Sequence, residues 1–250
     1  MTRWRLRLAA VMLALLPACA LAQEDRACPA VPLRPIVAPA FAAAVARGGE
    51  VRIVALGSSS TAGAGATTPW RSYPVRLEAR LREALPGRAV TVMNRGASGE
   101  DAAHMLGRLE RDAIAERPQL VIWQLGANAA LRGLDRDSFD SFLRQGLLRL
   151  RAAGIDVVLM DNQRAPRIAA RPGHRDYDAM LAAAAASVPG VTLFSRAALM
   201  DALAAAGVPN EALLISDNLH HNDRGYACIA EALSAALVAG LPVLQATTRR

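Results

Sequence analysis

Residues 51–63 read Val51-Arg52-Ile53-Val54-Ala55-Leu56-Gly57-Ser58-Ser59-Ser60-Thr61-Ala62-Gly63. A short apolar run rich in β-branched side chains and closed by a glycine fits a strand buried on both faces. The serine-rich turn behind it carries the residues that start helices. The pattern returns downstream. Ala89 to Asn94 repeats it, and Gln119-Leu120-Val121-Ile122-Trp123-Gln124-Leu125 again ends at a glycine. Ile155 to Met160 is a fourth run and Val191 to Phe194 a weaker fifth. Between and after them the spacing of apolar residues predicts helices over about 71–85, 101–116, 138–153, 176–187, 196–206 and 223–239. Doubly buried strands separated by helices imply a parallel sheet with right-handed crossovers. The expected fold is therefore α/β: a single three-layer α/β/α domain over residues 49–245, with a mainly parallel five-stranded sheet. Residues 23–48, rich in Pro and Ala, read as an arm lying over the surface.

Composition narrows the chemistry. The 250 residues are 53% hydrophobic and 20% charged, enough for one full core and too apolar for a disordered chain. All 29 basic residues are Arg, which excludes a phosphate-loop Lys, a Schiff base and a pyridoxal anchor. Arg3, Arg5 and Arg7, the apolar stretch Leu8 to Leu16, and Ala20-Leu21-Ala22 together look like a secretory signal peptide over residues 1–22, cut after Ala22. The alternatives are a membrane anchor, for which the stretch is short, or a lipoprotein built on Cys19, whose lipobox is poor. No later segment reaches transmembrane length. Loss of the three leading Arg lowers the formal charge from +7 to +4, a bias too mild and too scattered to suggest a nucleic-acid partner. Cys28 and Cys228 then remain as a pair, read as a disulfide in an oxidising compartment or as two unrelated thiols.

Ligands of such sheets bind at the carboxyl ends of the strands. There the sequence sets Gly57-Ser58-Ser59-Ser60-Thr61-Ala62-Gly63, then Asn94-Arg95-Gly96, then Gly126-Ala127-Asn128, and near the C-terminus Asp217-Asn218-Leu219-His220-His221-Asn222. A serine hydroxyl is a weak nucleophile until an imidazole takes its proton, and the imidazole needs a carboxylate to fix its tautomer. Asp217 and His220, three apart, would share a face of a helical turn and engage Ser59. The amides of Ser59 and Gly96 and the carboxamide of Asn128 could hold the oxyanion. Blander roles stand beside these: a helix cap for Ser59, Ser58 or Ser60, a turn glycine at 96, a cap at Asn128. His221 reads as a decoy, His104 and His174 as surface or rim residues, and Trp70, Tyr73 and Trp123 as core. The adjacent histidines and solitary cysteines offer no metal site, and the Gly63–Thr68 loop lacks a dinucleotide fingerprint. No cofactor is expected.

These four blocks, Ser59 with Gly63, Gly96, Gly126 with Asn128, and Asp217 with His220, resemble the SGNH (GDSL-like) hydrolase superfamily over roughly residues 51–230. The resemblance implies a flavodoxin-like fold and an exported serine hydrolase that cleaves carboxylic esters of acetylated glycans, short acyl groups or lipids. It also implies catalytic Ser59, Asp217 and His220, with an oxyanion hole of Ser59, Gly96 and Asn128. An acyltransferase or a non-catalytic glycan-binding protein on the same fold is the alternative. The chain departs from the family at Ser58 and Ala129, where aspartates are common.

Overall fold

The computed structural model describes residues 28–242. The signal-like segment, with Cys19 and the cleavage position at Ala22, lies outside the described residues. Five strands form the sheet: β1 (Val51–Gly57), β2 (Val90–Gly96), β3 (Leu120–Gln124), β4 (Asp156–Met160) and β5 (Val191–Phe194). Their order is β2-β1-β3-β4-β5 and every pairing is parallel. Every residue of β3 and β4 is buried, as expected for continuous apolar runs in the middle of a parallel sheet.

The longer helices fall where the periodicity predicts them, as α3 (Tyr73–Ala84), α4 (Ala102–Asp112), α6 (Arg136–Ala152), α8 (His174–Ser187), α9 (Arg196–Ala205) and α10 (Asp223–Ala239). α3 packs on α10 in one layer, while α4, α6 and α8 pack in succession in the other. Four short helices have no such periodicity: α1 (Pro39–Arg47), α2 (Ser59–Ala62), α5 (Ala127–Arg132) and α7 (Pro166–Ala169). Each is too short to be stable alone, so its existence depends on tertiary contacts that local sequence does not report.

The N-terminal arm is the clearest case. From Pro39 it is helical, and Phe41, Ala44 and Val45 enter the core. Ala38 supplies no side-chain cap. Instead the Asp156 carboxylate, buried at the start of β4, accepts from the amides of Ala40 (2.6 Å) and Phe41 (3.3 Å), and from Arg151 (2.9 Å). Upstream, Cys28 is paired with Cys228 of α10, their Cα atoms 5.4 Å apart across 200 positions. Tyr73 and Trp123 are fully buried, but Trp70 is 75% exposed. It sits on the 3-10 turn Pro69–Arg71, which is tied down through Arg71 to Asp223 and through Ser72 to its own backbone, and contributes nothing to the core.

Candidate active site

Order reverses at β2-β1-β3, so the crevice for a ligand opens beyond the carboxyl ends of β1 and β3. Ser59 is the first residue of α2, a single turn whose Thr61 and Ala62 amides both donate to the Ser58 carbonyl (3.0 and 2.9 Å). Gly63 ends the turn at φ 97°, a conformation that favours glycine. Although Ser58 occupies the cap position, its hydroxyl makes no cap bond.

Ser59 Oγ lies 2.8 Å from Nε2 of His220, across 161 positions of sequence. On the far side of the ring, Nδ1 is 2.5 Å from Asp217 Oδ2. The second oxygen, Oδ1, accepts from the amides of Leu219 and His220, both at 2.9 Å. Asp217 and His220 do not sit on a helical turn. Their segment is a loop closed by an antiparallel bridge between Leu214 and His221, with Asn218 in the left-handed region at φ 57°. The three-residue spacing works because the carboxylate folds back on its own loop and caps the amides that carry the imidazole. Partial burial pushes the Asp217 carboxyl up, but the hydrogen bonds from the His220 side chain and from both amides outweigh it and hold the group below the usual carboxylate value.

The proposed oxyanion donors differ in what they already hold. The Ser59 amide, in the first turn of α2, has no acceptor within its helix. Asn128, in α5, gives one Nδ2 hydrogen to the Glu100 carbonyl (2.7 Å) and keeps the other. The Gly96 amide donates to Asn94 Oδ1 at 2.9 Å, so it reaches an oxyanion only by sharing that hydrogen. Gly96 also has a steric reason to be glycine: a Cβ there would stand 2.1 Å from the Ala62 nitrogen.

His221 faces away from Ser59: it is buried, and its Nδ1 meets the Leu213 carbonyl at 3.2 Å. His104 pairs with Asp101 at 2.7 Å on the exposed start of α4, and His174 bonds the Arg171 carbonyl on the surface. Gln124 belongs to none of the four sequence blocks. It ends β3, is 1% exposed, and accepts from the Ser58 amide. Its only signal was a polar residue closing an otherwise apolar strand. Among the described residues no group of three or more His, Cys, Asp and Glu is placed to hold a metal ion.

A model of the non-GDSL lipase-like family matches residues 27–242. An arylesterase of Vibrio mimicus is 27% identical over 198 residues, covering 79% of this chain and 94% of its own. Among solved structures, a G-D-S-L family protein from Desulfitobacterium hafniense superposes with a TM-score of 0.62 at 20% identity, over 75% of this chain and 99% of the other. An acetylxylan esterase from Geobacillus stearothermophilus gives 0.62 at 20% identity, over 77% and 95%.

Proposed function

The chain belongs to the non-GDSL lipase-like family and is a carboxylic ester hydrolase; from that premise we propose that it is an exported serine esterase working through Ser59, His220 and Asp217. His220 Nε2 takes the hydroxyl proton as Ser59 Oγ attacks the ester carbonyl carbon. The carbonyl oxygen becomes an oxyanion, received by the Ser59 amide and the free Nδ2 hydrogen of Asn128, with Gly96 sharing its amide between that oxygen and Asn94. Collapse of the tetrahedral adduct breaks the bond to the alcohol, which leaves with the proton from His220. Water then gives a proton to the same imidazole as its oxygen bonds the acyl carbon; the acyl–Oγ bond breaks, the acid leaves, and His220 returns the proton to Ser59 Oγ. Asp217 keeps the Nδ1 hydrogen in place and balances the imidazolium charge.

The observation that carries this reading is the unbroken chain of hydrogen bonds from Ser59 Oγ through His220 to Asp217. Export rests on the arginine-led apolar N-terminus and the Cys28–Cys228 pair. In that compartment the accessible esters are acetylated glycans and short-acyl or lipid esters, and no helix among the described residues is long and apolar enough to cross a membrane. Ser59→Ala is the direct test: hydrolysis of p-nitrophenyl acetate should fall by roughly 10³-fold or more with the fold unchanged by circular dichroism. Activity near wild type would remove Ser59 from the mechanism.

A further inference from the structure

We propose that Gln124 is a positioning residue for the nucleophile, its carboxamide oxygen holding the turn that presents Ser59. The inference rests on the reading of Ser59 above and adds the part that aims it. Gln124 Oε1 is 2.9 Å from the Ser58 amide nitrogen, 3.0 Å from Ser58 Oγ and 3.3 Å from Thr61 Oγ1. A backbone N–H only donates, so the atom facing it is the oxygen, and the orientation of the amide is fixed by its surroundings. Three donors, all buried, thus converge on one acceptor from the neighbouring strand. Thr61 Oγ1 continues the network to the buried Tyr73 hydroxyl at 3.3 Å. Gly57 leaves the room for it: a Cβ there would meet Thr61 Oγ1 at 2.1 Å and Gln124 Oε1 at 2.8 Å.

Two consequences follow for Ser59. Ser58 before it and Thr61 two residues after it are both tied to β3, so the placement of Oγ against His220 depends on the sheet and not on a four-residue helix alone. In addition, a serine at the cap position ordinarily turns its oxygen onto the second or third amide of the helix. Here that hydroxyl is drawn to Gln124 and makes no cap bond to the turn. Gln124 supplies the acceptor that the Ser58 hydroxyl uses.

The test compares Gln124→Met, Ser58→Ala and the double variant in the full chain, with p-nitrophenyl acetate and a fluorophosphonate probe. Gln124→Met removes the acceptor at nearly constant length. Its kcat should fall by about 10- to 100-fold, the scale of a misplacement near 1 Å, while KM changes by less than about 3-fold. Probe labelling of Ser59 should slow by the same factor as kcat. The double variant should be no worse than Gln124→Met, since both changes cut one network. If Gln124→Met fails to fold, Ser58→Ala decides, with an expected loss in kcat of about 3- to 10-fold at unchanged KM. Folded Gln124→Met with kcat and labelling within twofold of wild type overturns the proposal, as does a fully additive double variant. So does Ser58→Ala at wild-type kcat when Gln124→Met does not fold. Wild-type protein that the probe does not label at Ser59 overturns the reading of Ser59 as the nucleophile, a different outcome from a labelled wild type matched by its variant.

Discussion

His221, one residue past His220, is 1% exposed, faces the Leu213 carbonyl through Nδ1 and leaves Nε2 with no partner. A carbonyl only accepts, so Nδ1 carries the hydrogen and Nε2 is bare. Burial, reinforced by the Arg196 guanidinium, pushes the ring's pKa down to about 3. In the unfolded chain the ring titrates near its ordinary value of about 6.5. Between those values the unfolded state binds the extra proton, so this residue lowers stability as the pH falls from about 6.5 toward about 3. Asp161 acts with opposite sign, because burial raises its carboxyl to about 6 and the folded state gains a proton first. Comparing variant with wild type separates the two. His221→Asn should be less stable at pH 7, yet lose less in Tm between pH 7 and pH 5, because the penalty of up to about 1.4 kcal/mol per pH unit disappears. Thermal melts across that range check it; parallel curves would place the acid sensitivity elsewhere. Neighbouring identical residues with such different surroundings show what sequence spacing offers. It puts His220 three residues after Asp217, but the loop that turns the two imidazoles apart, closed at Leu214 and His221, has no local signature.

At the level of elements, the decisive contact is backbone against backbone. The end of β2 touches α2 so closely that a methyl at Gly96 would stand 2.1 Å from the Ala62 nitrogen and 2.6 Å from the Thr61 carbonyl carbon. Neither atom is the flexible end of a side chain, so Gly96→Ala must move α2 with Ser59 on it. We expect kcat to fall by at least about 10-fold, with destabilisation of about 1–3 kcal/mol. Gly107→Ala in α4 is the control, with nothing within 4 Å of the new methyl. It should leave kcat unchanged and raise stability by about 0.5–1 kcal/mol. Steady-state kinetics and melts of the two variants decide the matter. The same distinction explains which elements were legible. Strands and long helices carry their own periodicity, and a glycine marks where β1 and β3 hand over to the site. α1 reads as an arm in the sequence because its cap, Asp156, lies 115 or more positions away. α2 and α5 are single turns or little more, and only the packing around them makes them helical.

For the molecule as a whole, the Cys28–Cys228 pair joins the first described residue to the last helix and closes a loop of 200 positions. Reduction, or the double Cys28→Ser/Cys228→Ser variant, should cost about 2–5 kcal/mol of stability. Esterase activity at room temperature should stay within twofold, because neither cysteine touches Ser59, His220 or Asp217. Melting with and without reductant, followed by an activity assay, measures both; an unchanged Tm would mean the pair adds nothing to the fold. Ser59 and His220 themselves are 161 positions apart, with all five strands complete before the second arrives. During synthesis the Ser59 hydroxyl therefore emerges long before its proposed base, His220. On the proposed mechanism, ester cleavage would therefore report that the Asp217–His220 loop has closed onto α2, not merely that the strands have been made.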